Sequence, residues 1–221
     1  MILAIDTATR WLGLALHDGT AVLAEQGWRA FQTQTVELTP AIGAMLTRAG
    51  ITAVDLKGIA VAIGPGSYTG LRVGLAVAKG IALANRTPLV GVSTLDIIAT
   101  ATGPYDAQLL IAAEAGRSRV CAAIYQWHQR HGWQVTDDPI IEAWPALLAQ
   151  LNRPTVAVGE ITADAAKLIR KSGHQVAPAA AAVRRAGYLA EIGWQRLRKN
   201  KADLASTLAP IYLRNPDGSK A

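Results

Sequence analysis

A single cysteine, Cys121, excludes an internal disulfide, and a lone phenylalanine with only 5% aromatic residues excludes a core built on large rings. Hydrophobic residues still make up 51% of the 221 residues, so the core is expected to be assembled from small aliphatic side chains. No run of eighteen apolar residues occurs, which argues against a membrane-spanning helix. The opening MILAIDTATR carries Asp6 inside what would be a signal segment, so a cytoplasmic protein with no membrane association is expected. The histidines are His17, His128, His131 and His174, and none are four apart, so no helical metal-ligand pair exists. His128 and His131 lie three apart in QWHQRHG, with no acid between them, and read as a solvent-facing turn. Neither a metal nor any other cofactor is expected. Ser67, Ser93, Ser118, Ser172, Ser206 and Ser219 all lack a GxSxG elbow, and Cys121 sits in an apolar strand, so nucleophilic machinery is missing as well.

The most informative segment present is Ile63-Gly64-Pro65-Gly66-Ser67-Tyr68-Thr69-Gly70-Leu71-Arg72, where an apolar run from Gly58 to Ile63 breaks into glycines and restarts as a helix. Gly64 and Gly66 permit a tight turn, and Ser67 or Thr69 can cap the helix that begins near Gly70. An exposed helix N-terminus attracts anions, which makes Asp6, Gly64, Gly66, Ser67 and Thr69 a candidate anion or nucleotide site. The block matches neither a Walker loop nor a GxGxxG fingerprint, and close packing explains the glycines equally well. In the following helix Gly70, Gly74, Ala78 and Ala82 stack at four-residue spacing and leave one face almost bare. Each interior glycine costs about 1 kcal/mol relative to alanine, so close contact must compensate.

Met1 to Asp6 reads as a strand, Thr7 to Arg10 as a turn, Trp11 to His17 as a second strand and Val22 to Gly27 as a third. The same beginning recurs half a chain later, where Leu109 to Ala113 leads to Glu114, a polar turn and a returning strand from Val120 to Trp127. Such recurrence points to an internal duplication, with two α/β halves and a boundary in Thr100 to Asp106. The expected subdomains are 1–103 and 104–221, the second including a long helix from about Ala179 to Asn200 and the tail. Helices are expected over Thr35 to Ala49, Ile141 to Leu151 and Thr162 to Ser172, and Leu208 to Leu213 is expected to pair as an edge strand. The formal net charge is +6, with the excess gathered at Arg184, Arg185, Arg196, Arg198, Lys199, Lys201 and the tail. That distribution suits a nucleic-acid partner and also an ordinary solvated helix face.

With IDTAT at the N-terminus, GPGSYTGLRVGLAVAKGIA, GVSTL from Gly91 to Leu95 and PIYLR from Pro210 to Arg214, the chain resembles the bacterial TsaB (YeaZ) family from Met1 to about Arg214. The resemblance implies an actin-like ATPase fold with two duplicated α/β subdomains. It further implies a non-catalytic relative of the transferase TsaD that binds and activates TsaD in forming N6-threonylcarbamoyladenosine (t6A) at position 37 of tRNAs reading ANN codons. Implied partners are TsaD in a heterodimer, a TsaE-type ATPase in the larger complex, tRNA through the complex, and a second copy of the chain. Two departures bear on activity: Gln34-Thr35 stands where many relatives have His-Ser, and Glu114 stands where relatives usually have Asp. A longer acid beside a basic turn disfavours the alternative reading, a small ATP-dependent kinase or ATPase using Asp6, Gly64 to Gly66 and Glu114. For the partner interface, the helix Thr35 to Ala49 is expected to expose some of Leu38, Ile42, Met45 and Leu46. The helix Gly70 to Ala84 is expected to offer Arg72, Ala76, Lys79 and Leu83.

Overall fold

The structure is a computed structural model that describes residues 1–31, 33–114 and 119–212. Two compact units emerge, one of 1–97 with 185–211 and the other of 98–184 with Tyr212. In the first unit, β1 (Ile2–Asp6), β2 (Trp11–His17) and β3 (Val22–Arg29) form a meander followed by α1 (Gln34–Arg48), β4 (Gly58–Gly64), α2 (Tyr68–Asn85) and β5 (Leu89–Ser93). The sheet order is β3-β2-β1-β4-β5, with β4 parallel to β1 and β5. β1 is central and buried along its whole length, which is why it reads as a continuous apolar run.

Alternation along β1 and β4 assigns the two faces. Leu3, Ile5, Ile59 and Val61 point to a core closed by Leu38, Ile42 and Met45 of α1 and Leu75 and Ala78 of α2. Ile2, Ala4, Ala60 and Ala62 face Ala186, Leu189 and Ala190 of the C-terminal helix. That second face is lined with alanine, so the helix comes very close. A Cβ added to Gly193 would stand 2.6 Å from the Ala60 Cβ. The scarcity of phenylalanine and abundance of alanine thus have a structural outlet in this thin layer.

After α3 (Thr94–Ala101), the second unit repeats the arrangement. β6 (Gln108–Glu114), β7 (Arg119–His128) and β8 (Gly132–Val135) form a meander, then β9 (Ile140–Ala143), α4 (Trp144–Ala149), β10 (Thr155–Gly159), α5 (Ala163–Lys171) and β11 (Gln175–Val176) follow. The order β11-β10-β6-β7-β8 mirrors the first sheet, with β9 added against β7. Asp6 and Glu114 both end the central strand of their sheet, as the duplication requires. The repeat extends to a detail not apparent in the sequence. Gly64 and Gly159 end corresponding strands, each with φ of 114°, and three residues later Ser67 and Thr162 cap the next helix.

Several expected boundaries are corrected. The segment read as a helix from Ile141 to Leu151 divides into β9 and the short α4, with Pro145 in the helix's first turn. The long C-terminal helix is confined to α6 (Ala186–Arg198), after a separate 3₁₀ turn at Ala179–Ala182. α6 belongs to the first unit and not to the second half. Over 208–212 no strand forms, and the Ile211 amide donates to the Ile63 carbonyl at 2.7 Å; ahead of that segment a single bridge joins Leu89 and Asp203. Leu213 lies outside the described residues.

α6 is anchored by Glu25 of β3, whose Oε1 accepts the Gly187 amide at 2.8 Å while Oε2 accepts from the Arg185 guanidinium at 2.6 Å. The Arg185 side chain is 60% exposed, so the ion pair itself contributes little, and the carboxylate matters mainly as a helix cap. Glu25→Ala is expected to lower unfolding stability by about 1–2 kcal/mol, and Arg185→Ala by well under 1. Urea melts of the two variants test this ordering, and equal losses would contradict it.

Burial pushes the Cys121 thiol on β7 up to about 12 from an ordinary 9.0. Because the folded value lies above the unfolded one, this contribution is intact below pH 9. It is then lost as pH rises towards 12, by up to about 1.4 kcal/mol per pH unit. Thiol titration at pH 8 is accordingly expected to label no cysteine in the native protein and one per chain in denaturant.

Candidate functional site

The β4–α2 loop is built around the first turn of the chain. The Ala8 amide donates to Asp6 Oδ1 at 2.9 Å, and the Ala8 carbonyl accepts from the Ser67 amide at 2.6 Å. Ser67 Oγ accepts from the Gly70 amide at 3.2 Å, and Thr7 Oγ1 donates to the Gly70 carbonyl at 2.7 Å. A Cβ on Gly66 would overlap the Ala8 carbonyl, one on Gly70 the Thr7 carbonyl, and one on Gly74 the Thr7 hydroxyl. Glycine is therefore required at three successive places where α2 slides under the Thr7–Ala8 turn.

The structure brings Asp6, Gly66 and Ser67 together through Ala8, places Gly64 against the Ile211 carbonyl, and leaves Thr69 exposed on the first turn of α2. Asp6 is fully buried, and the Gly70 and Leu71 amides are taken by Ser67. Each of these residues except Thr69 has a packing role that needs no ligand. In the second unit, the Glu114 amide is likewise held by Glu160 Oε2 at 2.9 Å, and Glu160 Oε1 pairs with the buried Arg184 at 3.1 Å. Among the described residues no group of three or more His, Cys, Asp or Glu side chains is arranged to hold a metal ion. No helix among them is long and apolar enough to cross a membrane.

The interface expected on the two first-half helices requires a correction for one of them. Leu38, Ile42, Met45 and Leu46 are all buried in the core of the first unit, Ile42 being only 4% exposed. They form the inner stripe of α1 and are not available to a partner. On α2, Arg72, Ala76 and Leu83 are exposed, while Lys79 is half-buried. Arg72 lies over the Tyr68 ring, 3.7 Å from its centroid, and Leu83 is 68% exposed.

Sequence reasoning missed a second row of small residues on α2. Ala76, Gly80 and Ala84 follow one another at four-residue spacing on the outward face, opposite the glycines that pack on Thr7. Gly80 has nothing within 4 Å of the position a Cβ would take, and neither does Gly43 on the outer side of the adjacent α1. The inward row of glycines is explained within the chain, whereas these two are not. The signal is present in the sequence as a second four-residue spacing, Ala76, Gly80 and Ala84.

The basic cluster also resolves differently from its composition. Arg184 is 2% exposed and paired with Glu160, Arg185 is bonded to Glu25, and Arg196 pairs with Asp203 at 3.2 Å while donating to the Gly91 carbonyl. These three do the work of internal fastening. Arg198 and Lys199 remain exposed at the end of α6.

A family model described as "TsaD: tRNA N6-adenosine threonylcarbamoyltransferase" matches residues 29–219. The chain is 31% identical over 229 residues to the tRNA threonylcarbamoyladenosine biosynthesis protein TsaB of Escherichia coli (strain K12), covering 97% of this chain and 94% of that protein. It is 33% identical over 163 residues to the protein of the same name from Bacillus subtilis (strain 168), covering 73% and 71%. Among solved structures, YeaZ from Pseudomonas aeruginosa superposes with a TM-score of 0.78 at 22% identity, covering 96% of this chain and 99% of that one. The duplicated mixed sheets are those of the actin-like ATPase fold.

Proposed function

From the premise that the chain belongs to the TsaB (YeaZ) family, we propose that it is a non-catalytic partner subunit in tRNA threonylcarbamoyladenosine biosynthesis. It binds and activates TsaD, the transferase that forms t6A at position 37 of tRNAs reading ANN codons, with a TsaE-type ATPase as a further member of the complex. The binding surface is the outward face of α2 together with the outer side of α1.

One observation carries this reading. Gly43 and Gly80 sit in the middle of exposed helices with open space around them, although alanine at each place would favour the helix by about 1 kcal/mol. A second helix pair approaching closely would account for the missing methyl groups, as small residues do wherever helix backbones meet. Around them lie Ala76, Ala84 and Ala44, with the exposed Leu83 and Val36 as apolar anchors. Two helices from this chain and two from a partner of the same fold make a four-helix contact. Since the surface is self-complementary in kind, a second copy of this chain would compete for it.

Co-purification with TsaD and t6A formation in a reconstituted reaction test the proposal. The chain alone is expected to transfer nothing and to raise TsaD turnover when added. A chain that neither binds TsaD nor alters its activity would refute it.

A further inference from the structure

The turn between β7 and β8 sets an exposed tryptophan beside an exposed basic tip. Trp127, next to last on β7, is 41% exposed, and its ring meets Trp133 of β8 edge to face, with centroids 5.4 Å apart and planes at 74°. Trp133 is buried and fixed in turn, its indole N–H shared between the carbonyls of Thr102 and Gly103 at 3.1 and 3.2 Å. The turn itself is tight, with the His131 amide on the His128 carbonyl at 3.1 Å and Gly132 in the left-handed region at φ 67°. Gln134 Nε2 braces it from below by donating to the His131 carbonyl at 2.9 Å. The tip is therefore held in one shape before anything binds.

It presents His128, Gln129, Arg130 and His131, all exposed. Arg130 forms no ion pair among the described residues, in contrast to Arg184, Arg185 and Arg196, which are all consumed internally. No carboxylate occurs from Gln126 to Val135, and the nearest in sequence, Asp137, accepts from the Thr136 hydroxyl beyond the end of β8. A rigid, half-open indole beside a free guanidinium and two imidazoles is an electropositive aromatic platform. Unpaired RNA bases stack on such rings while the cation meets the phosphates, whereas a paired duplex hides its base faces. An acidic protein surface would use the cations but has little use for an exposed indole.

We infer that the β7–β8 hairpin tip is an RNA-binding finger that stacks an unpaired nucleotide of the tRNA substrate on Trp127 and holds the adjoining phosphate with Arg130. This rests on the proposed role in tRNA modification and adds to the chain a direct contact with the nucleic acid.

The test titrates the full chain against a fluorescently labelled RNA stem-loop with an unpaired loop, and against a fully paired duplex of equal length, reading anisotropy at several salt concentrations. The stem-loop is expected to bind more tightly than the duplex. Trp127→Ala should weaken stem-loop binding about tenfold and Trp127→Phe should restore most of it, while duplex binding stays unchanged. Arg130→Ala should weaken both RNAs about threefold and lower the salt slope by about one. Since Trp127 packs on Trp133, the exposed pair Arg130→Glu and His131→Glu tests the site without altering that ring contact. Circular dichroism checks that each variant is folded. Unchanged stem-loop affinity in the Arg130→Glu, His131→Glu variant overturns the inference, as does equal binding of loop and duplex by the wild type. Co-purification with TsaD separates this from the wider reading. Variants that keep RNA affinity but lose TsaD would make the tip a protein-docking site and sink the RNA inference, while loss of TsaD binding by the wild type would sink the partner role instead.

Discussion

Ala76→Arg is expected to yield a folded monomer that neither dimerises nor activates TsaD. Ala76 is exposed on the outer row of α2, so in the isolated chain an arginine there would extend into solvent and cost the fold almost nothing. In a close helix contact the same guanidinium would be desolvated without a partner, at about 3–5 kcal/mol. That weakens association by about two to three and a half orders of magnitude. Light scattering, circular dichroism and a reconstituted tRNA-modification assay measure the three parts of the outcome. If the variant is folded, dimeric and fully supportive of modification, the contact lies elsewhere. A substitution at Ile42 does not serve the same purpose, because Ile42 lies in the core of the first unit and a charge there would report on folding. Homodimer and heterodimer are expected to be lost together, since one patch serves both.

How far the fold could be read from the sequence depended on whether a signal was local. The strand, acid and turn of Ile2 to Arg10 are local, and so is their recurrence at Leu109 to Glu114, which is why the duplication was legible. The equivalence of Gly64 with Gly159 was not, because GPGS and GEIT share little beyond a backbone angle. Apolar periodicity identified the inner stripe of α1 correctly as a stripe, but periodicity names no neighbour. The sheet of the same unit covers it, so Leu38, Ile42, Met45 and Leu46 face the core. Charge counting failed at Arg184, Arg185 and Arg196 for a related reason, since their acids, Glu160, Glu25 and Asp203, are not evident partners from the sequence alone. The burial of Arg184 beside Glu160 accompanies extended backbone at Val183 and Arg185, where the expected long helix is interrupted. Short apolar runs gave the remaining error: Ile140 to Leu148 contains both a strand and a helix turn, and neither is long enough for its period to show.

The two rows of small residues on α2 make a paired test in which one substitution has opposite signs ten residues apart. At Gly70 a methyl group would overlap the Thr7 carbonyl, and moving Thr7 would break its buried hydrogen bond to the Gly70 carbonyl and shift the Ala8 peptide from Asp6 and Ser67. Gly70→Ala is therefore expected to destabilise the chain by about 3 kcal/mol, at the upper end of overpacking costs, because the obstruction is backbone rather than a side-chain end. At Gly80 nothing lies within 4 Å, so Gly80→Ala is expected to stabilise the monomer by about 1 kcal/mol through helix propensity and a less flexible unfolded chain. Chemical denaturation in an Ala76→Arg background reads both effects on monomer, free of association. The Gly80 variant in the natural background should then show the opposite tendency in assembly, with weaker binding to TsaD and to itself, because the added methyl groups stand where a partner backbone must approach. A Gly70→Ala chain as stable as the parent would mean that α2 does not seat under the Thr7–Ala8 turn. A Gly80→Ala chain that is more stable and assembles just as tightly would remove the reason for assigning that face to a partner.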